Sequence, residues 1–171
     1  MPVSLASSKL IYDGLKACDV GLVVTLAESW LLHIIRMAEE DPGTTLVQVA
    51  REEEAVGIAA GAYLGGVKAA LLTQNHGLLA AVNPIVSLAQ LYRIPLLMLI
   101  SYRGSFGERD PWQTRGGLVT EPLLRALDIP TSVVTNPPDV ARQIRDADTL
   151  AHSSLGPVAV LLTRELMWED G

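Results

Sequence analysis

Three consecutive glutamates, Glu52, Glu53 and Glu54, come directly before a run of small and apolar residues, AVGIAAGAYLGG. Adjacent carboxylates repel one another, and a carboxylate without a partner is costly to bury. A helix dipole stabilises acids in its first turn by about 0.3–1 kcal/mol each, which accounts for three solvated acids without any catalytic role. The alternative is that one of them faces inward, where a carboxyl group can share a proton with a bound molecule.

A second polar group, Gln74, Asn75 and His76, precedes Gly77 directly after an apolar stretch. An unperturbed histidine titrates near neutral pH, so His76 has the chemistry of a proton donor or an anion contact. The alternative is a side chain that only fills space.

The segment RGSFGERDPWQTRGG, residues 103–117, carries Arg103, Arg109 and Arg115. Arginine binds sulfonate, phosphonate or carboxylate groups through paired N–H donors. We therefore take Arg115 and Arg103 as candidate ligands of an anionic substrate. The segment is rich in glycine and charge and has no period, which predicts a long loop that is functional or partly mobile.

Short apolar strands alternate with helical stretches along most of the chain. The pattern predicts strands at 21–26, 45–50, 68–74, 94–102, 131–135 and 157–163. It predicts helices at 28–40, from 52 for about four turns, and at 78–93, 121–129 and 137–154. Such alternation indicates an α/β fold, a three-layer sandwich with a mostly parallel six-stranded sheet and helices on both faces. Ligands bind at the carboxyl ends of such strands, where the three polar groups should converge.

Length, composition and net charge indicate the size, the solvent exposure and the binding partners to expect of this protein. The 171 residues suit one domain, 1–171, and 49% apolar residues with a mean hydropathy of +0.30 suggest that another chain covers part of the surface. A net charge of −6 argues against nucleic acid. We expect a cytoplasmic protein, because Cys18 is the single cysteine and neither a signal peptide nor a membrane span is recognisable.

Three motifs in this order, REEEAVGIAAGAYLGG, QNHGLLAAVNP and YRIPLLMLISYRG, resemble the pyrimidine-binding domain of thiamine-diphosphate-dependent 2-keto acid decarboxylases. The likeness is greatest to sulfopyruvate decarboxylase alpha subunits and to phosphonopyruvate decarboxylases. It runs across nearly the whole chain. It implies the fold given above and thiamine diphosphate as the cofactor.

In the family that the chain resembles, a glutamate at the start of this helix hydrogen-bonds a pyrimidine nitrogen and so promotes activation of the cofactor. Counting nine residues back from Gly61 gives Glu52, and aligning Tyr63 with the family's aromatic residue gives Glu53. We prefer Glu52, because more residues then match. The resemblance also implies that the turn with Gln74, Asn75 and Gly77 lies beside the cofactor.

The second and third motifs match the family less closely. Relatives typically read QNSGLGN where this chain reads QNHGLLA, so His76 replaces a small residue. Gln113 matches a glutamine of the alpha-subunit loop, which the resemblance implies to bind substrate.

The resemblance implies an enzyme subunit that decarboxylates a small anionic 3-substituted pyruvate, such as sulfopyruvate or phosphonopyruvate. The family's G-D-G…N signature for the diphosphate is absent from the sequence. A diphosphate-binding beta subunit would therefore supply most of the Mg²⁺ site, in an α2β2 or larger assembly. Two alternatives stay open: a non-catalytic scaffold or regulatory subunit, and a carboligase or decarboxylase for another 2-keto acid.

Overall fold

A computed structural model describes residues 3–169, so the predicted domain 1–171 extends two residues beyond the described part at each end. The strands are β1 Leu22–Thr25, β2 Thr45–Gln48, β3 Ala69–Gln74, β4 Leu96–Ser101, β5 Thr131–Val134 and β6 Pro157–Leu162. The α-helices are α1 Leu5–Ala17, α2 Leu32–Glu40, α3 Glu52–Leu64, α4 Asn75–Ala80, α5 Val82–Pro84, α6 Pro111–Ala126, α7 Val140–Ser154 and α8 Arg164–Met167.

The six strands form one sheet in the order β2-β1-β3-β4-β6-β5, and every neighbouring pair is parallel. The predicted α/β architecture with a six-stranded sheet is confirmed. The chain leaves β1 toward β2 on one side and returns to β3 on the other side of β1. A crevice outside the carboxyl ends of the strands is expected at this reversal, and it is where parallel sheets usually bind ligands.

The core lies on both faces of the sheet. All six residues of β4 are buried, and its side chains alternate between two clusters: Leu97 and Leu99 pack with α1, α2 and α7, whereas Met98 and Ile100 pack with α3 and α6. Burial on both faces explains why this strand is apolar throughout. Among residues 3–169, no helix has the length and apolarity needed to cross a membrane.

The expectation of a loop over 103–117 is wrong in its second half, because α6 begins at Pro111. Asp110 has an extended backbone at the N-cap position, and proline is well suited to the first position of a helix. The predicted helix 121–129 is the second half of the same helix, which ends at Ala126.

Other boundaries also differ from the sequence-based assignment. The predicted helix 78–93 begins earlier, at Asn75, and continues through α5 into a π-helical turn, Ile85–Gln90. The helices predicted at 28–40 and 137–154 each begin with a short 3₁₀ turn, at Ser29–Leu31 and Pro137–Asp139. Neither α1 nor α8 was assigned from the sequence.

Two glycines allow α6 to pack directly on the segment that follows β4. Gly104 has a φ of +81°, and a Cβ added to it would lie 2.8 Å from the backbone nitrogen of Gly117. A Cβ on Gly117 would in turn lie 2.7 Å from the Cα of Gly104. These are backbone atoms, so neither can move aside as a flexible side chain would. The close approach therefore requires glycine at both positions.

We predict that Gly117→Ala lowers the free energy of unfolding by about 2 kcal/mol or more, because the added methyl group overlaps a packed backbone. Gly57→Ala is the matched control: Gly57 also lies inside a helix, but an added Cβ there meets nothing within 4 Å. The control should gain about 0.5–1 kcal/mol from helix propensity. Urea unfolding of the purified chain measures both values, and equal effects of the two substitutions would contradict the packing argument.

Candidate active site

The polar residues predicted from the sequence lie at the carboxyl edge of the sheet. Glu52 begins α3 directly after β2, Gln74 ends β3, and Arg103 follows β4. These strands bracket the reversal between β1 and β3. The edge is therefore the candidate active site.

The three adjacent glutamates have three different environments. Glu54 caps its own helix, since its Oε2 accepts hydrogen bonds from the backbone nitrogens of Ala50 (3.1 Å) and Arg51 (3.3 Å). Glu53 is 41% exposed and forms a surface ion pair of 3.3 Å with the Nε of Arg51. Neither carboxylate faces the interior.

Glu52 lies on the same side of α3 as the buried residues Val56 and Ala59. Its side chain extends over the backbone of Gly77, where an added Cβ would lie 2.8 Å from Glu52 Oε1. Within residues 3–169, the Glu52 carboxylate has no hydrogen bond or ion pair. It is therefore partly buried, at the candidate site, and available to a bound molecule.

The turn after β3 is tied to α6 by side-chain amides. Gln74 Nε2 donates to Gln113 Oε1 at 3.2 Å. Asn75 Nδ2 donates to the carbonyl oxygen of Arg103 at 2.9 Å and to Thr120 Oγ1 at 3.1 Å. Asn75 is fully buried, yet its Oδ1 has no partner within the described residues. Two separate sets of contacts, from Gln74 to Gln113 and from Asn75 to Arg103 and Thr120, therefore hold the turn, and we call them together the amide network. The sequence did not indicate Thr120.

His76 packs its ring against α6. A Cβ on Gly116 would lie 2.5 Å from His76 Nε2 and 2.9 Å from Nδ1, so the ring occupies the space that a side chain at 116 would need. The Nδ1 atom is buried and has no hydrogen-bond partner within residues 3–169. The ring thus fills space, which is one of the two interpretations that the sequence left open for His76. It also leaves one polar atom, Nδ1, without a hydrogen bond in the described residues.

Arg103 does not have the free guanidinium group that a substrate ligand needs. It is 8% exposed, and each of its three nitrogens is paired with a different carboxylate, those of Glu28, Glu108 and Asp110. Its guanidinium carbon also lies 4.8 Å from the ring centroid of Trp30. The sequence indicated that Glu108 and Asp110 partly offset the positive charge of this segment, but it did not indicate the third acid, Glu28.

The two buried acids around Arg103 respond differently to burial. Burial raises the pKa of Glu28 above its ordinary value, although Arg103 and the backbone N–H of Trp30 act in the opposite direction. For Glu108, burial also acts to raise the pKa, but hydrogen bonds from the backbone nitrogens of Gly104, Asp110 and Arg109 outweigh it and hold the pKa low. Glu28 was not identified as a site residue from the sequence, because it is the first residue of the helix predicted at 28–40. In the structure it is the N-cap of the 3₁₀ turn Ser29–Leu31, and its Oε2 accepts a hydrogen bond from the backbone nitrogen of Trp30.

The other predicted ligands of the anion lie outside this cluster. Gln113 is buried in the amide network, whereas Arg115 is exposed on α6 and Arg109 on the preceding loop. A groove of about 520 Å³ opens beside α6. Its lining includes Tyr102 and Phe106 from the segment after β4, and Glu121, Pro122 and Arg125 from α6. That groove does not include Glu52, Gln74 or His76, so it is separate from the candidate site.

Of the unpartnered polar groups at this turn, the Glu52 carboxylate belongs to a partly exposed side chain and can form a hydrogen bond with a bound molecule. The Glu52 carboxylate, Asn75 Oδ1 and His76 Nδ1 are polar atoms near one turn with no partner in the described residues. Among residues 3–169, no group of three or more His, Cys, Asp or Glu side chains is arranged to hold a metal ion.

Comparison with known proteins identifies the family of the chain. Residues 6–117 match the family model described as "Thiamine pyrophosphate enzyme, N-terminal TPP binding domain". Sulfopyruvate decarboxylase subunit alpha of Methanococcus maripaludis is 36% identical over 95% of this chain and 97% of its own length. The same subunit of Methanocaldococcus jannaschii is 36% identical over 96% and 97%.

Two further matches cover only part of longer proteins. Phosphonopyruvate decarboxylase of Streptomyces viridochromogenes is 35% identical over 83% of this chain and 35% of its own length. A 2-oxoglutarate:ferredoxin oxidoreductase from Magnetococcus marinus superposes with a TM-score of 0.72 at 18% identity, over 95% of this chain and 29% of the other. The latter likeness supports the fold alone.

We predict that Glu28→Gln changes how stability depends on pH. Because the folded chain raises the pKa of Glu28 above 4.5, it binds a proton over a range in which the unfolded chain has lost it. Wild-type stability should therefore fall as the pH rises through that range, and the variant should lack this loss. Its Tm relative to wild type should increase from about pH 4 to about pH 7. The exposed Glu39→Gln controls for loss of one charge, and a pH-independent difference for Glu28→Gln would be the contrary result.

Proposed function

The chain belongs to the thiamine pyrophosphate enzyme family, and on this premise we propose that it is the alpha subunit of a thiamine-diphosphate-dependent decarboxylase. Its substrate is a small 2-keto acid with an anionic group on C3, of the sulfopyruvate or phosphonopyruvate type. The bond between C1 and C2 breaks, carbon dioxide leaves, and a proton takes its place on C2 to give the aldehyde. The names of the full-length relatives support this assignment.

The observation that carries the proposal is the inward position of Glu52. Of the three adjacent glutamates, only Glu52 has a carboxylate at the candidate site without a partner in residues 3–169. We assign it to hold a proton against a ring nitrogen of the cofactor. Glu53, the other candidate, is paired with Arg51 at the surface, which favours Glu52.

Thiamine diphosphate, when bound, supplies the electron sink for the electrons released as carbon dioxide departs. The residues of this chain bind the cofactor and orient its ring. Glu52 exchanges the proton, and the backbone around Gly77 lies beside its carboxylate. Asn75 is fully buried, so we assign it to position this turn through Arg103 and Thr120. His76 is partly exposed beside them, and we include this residue as a contact of the cofactor or the substrate.

The diphosphate and Mg²⁺ are assigned to a partner subunit. The part of the chain that the structure describes offers no acidic cluster for a metal, and the full-length relatives are named alpha subunits. We propose a beta subunit that binds the diphosphate, in an α2β2 or larger assembly.

For the anionic group of the substrate we propose Gln113 and Arg115. Gln113 is joined to the turn at Gln74. Arg115 is an exposed cation on another side of α6, because residues two positions apart on a helix do not face each other, so it would approach the group from a different side than Gln113. Arg103 is left out, because its three nitrogens already face Glu28, Glu108 and Asp110.

We predict that Glu52→Gln, assayed with the partner subunit, lowers kcat by about 100-fold or more, because the amide cannot exchange the proton. Glu53→Gln is the matched control, and kcat should stay within a factor of about two, since a surface ion pair contributes little. Release of carbon dioxide measures turnover, and size-exclusion chromatography checks assembly. A larger loss for Glu53→Gln than for Glu52→Gln would transfer the role to Glu53.

We also predict that the purified chain binds thiamine diphosphate at least about 100-fold more weakly than the assembled subunits do, because it lacks the diphosphate and metal half of the site. Isothermal titration calorimetry with Mg²⁺ present measures both affinities. Tight binding by the chain alone would overturn the division of the site between two subunits.

A further inference from the structure

We propose that Arg103 and Asp110 are positioning residues, which fix the start of α6 and thereby hold Gln113 against the turn that contains Gln74 and Asn75. Neither residue touches the reacting atoms. The effect on substrate binding rests on the proposed function, whereas the ordering of α6 rests on contacts alone.

The guanidinium group of Arg103 joins three separate segments. Its Nη1 lies 3.4 Å from Glu28 Oε1 in the connection after β1, and its Nε lies 3.3 Å from Glu108 Oε2 in the loop. Its Nη2 lies 2.8 Å from Asp110 Oδ2 at the N-cap of α6. A lysine has one nitrogen on a flexible stem and cannot reproduce this fork.

Two short paths lead from this cluster to the candidate site. In the first, the carbonyl oxygen of Arg103 accepts the hydrogen bond from Asn75 Nδ2 at 2.9 Å. In the second, the carbonyl oxygen of Asp110 accepts from the backbone nitrogen of Gln113 at 2.9 Å, and Gln113 Oε1 accepts from Gln74 Nε2. A shift of Asp110 therefore reaches the amide network within one turn of helix.

Asp110 is the member of the cluster that can be changed without leaving a buried charge unpaired. The side chains of Arg103, Glu28 and Glu108 are 9%, 8% and 4% exposed, so removal of Arg103 would strand two buried carboxylates. The Asp110 side chain is 39% exposed. Asp110→Asn removes the charge from this ion pair and so weakens the tie between α6 and Arg103, while Arg103 keeps its other two partners.

The chain contains a matched control for this substitution. Asp139 is the N-cap of α7, is 40% exposed, and lies 2.9 Å from the Nη2 of Arg142. Asp139→Asn thus removes the charge of an equally exposed aspartate at a cap position, in a surface pair whose arginine is 58% exposed, on a helix that carries none of the proposed site residues.

The experiment uses the assembled enzyme with its partner subunit and measures two quantities. Hydrogen–deuterium exchange of the backbone amides at 104–117 should rise about fivefold or more in Asp110→Asn. In steady-state assays the KM for the acidic keto acid should rise about tenfold, with kcat within a factor of about two, because Gln113 is displaced while Glu52 is not. Asp139→Asn should change neither quantity.

Each other outcome is decisive. Unchanged exchange at 104–117 in Asp110→Asn overturns the ordering of α6. Raised exchange with an unchanged KM overturns the role in substrate positioning, whether or not kcat falls. If the wild-type assembly releases no carbon dioxide from any acidic keto acid, the proposed function fails, and the exchange data still decide whether Asp110 orders the helix.

Discussion

The ion-pair cluster around Arg103 is the interaction on which the candidate site depends. Three carboxylates share one guanidinium group in a region largely removed from water, so the cluster carries excess negative charge. Backbone N–H groups offset that charge at Glu108, whereas burial dominates at Glu28 and raises its pKa. Because the acids come from the connection after β1, the loop and the start of α6, the charge balance also fixes where α6 begins. The amide network at Gln74 and Gln113 is built on that fixed position.

Much of the fold could be predicted from the sequence, because a parallel sheet buried on both faces requires apolar runs of a recognisable length. The runs at 94–102 and 157–163 became β4 and β6, and the helix after Glu52 began where expected. The start of α6 was not predicted, because a segment that contains Gly116 and Gly117 has the composition of a loop. In the structure these two glycines allow close packing against His76 and Gly104. Such packing depends on residues distant in the chain, which local composition does not show.

The candidate site was predictable in position but not in the state of each side chain. The turn at 74–77 and the acids at 52–54 lie at the expected edge, because strand ends of a parallel sheet converge whatever the loops contain. Whether the guanidinium group of Arg103 is paired or free depends partly on Glu28, which lies 75 residues earlier in the chain. Local composition does not reveal that partner. Likewise, the sequence left Glu52 and Glu53 as alternatives, and only the helical face on which each lies separates them.

The contact between His76 and Gly116 couples two positions that are 40 residues apart. With the ring in its present place, a Cβ at 116 would lie 2.5 Å from its Nε2, so any larger residue there requires the imidazole to turn aside. The side chain at 76 therefore decides which residues position 116 tolerates.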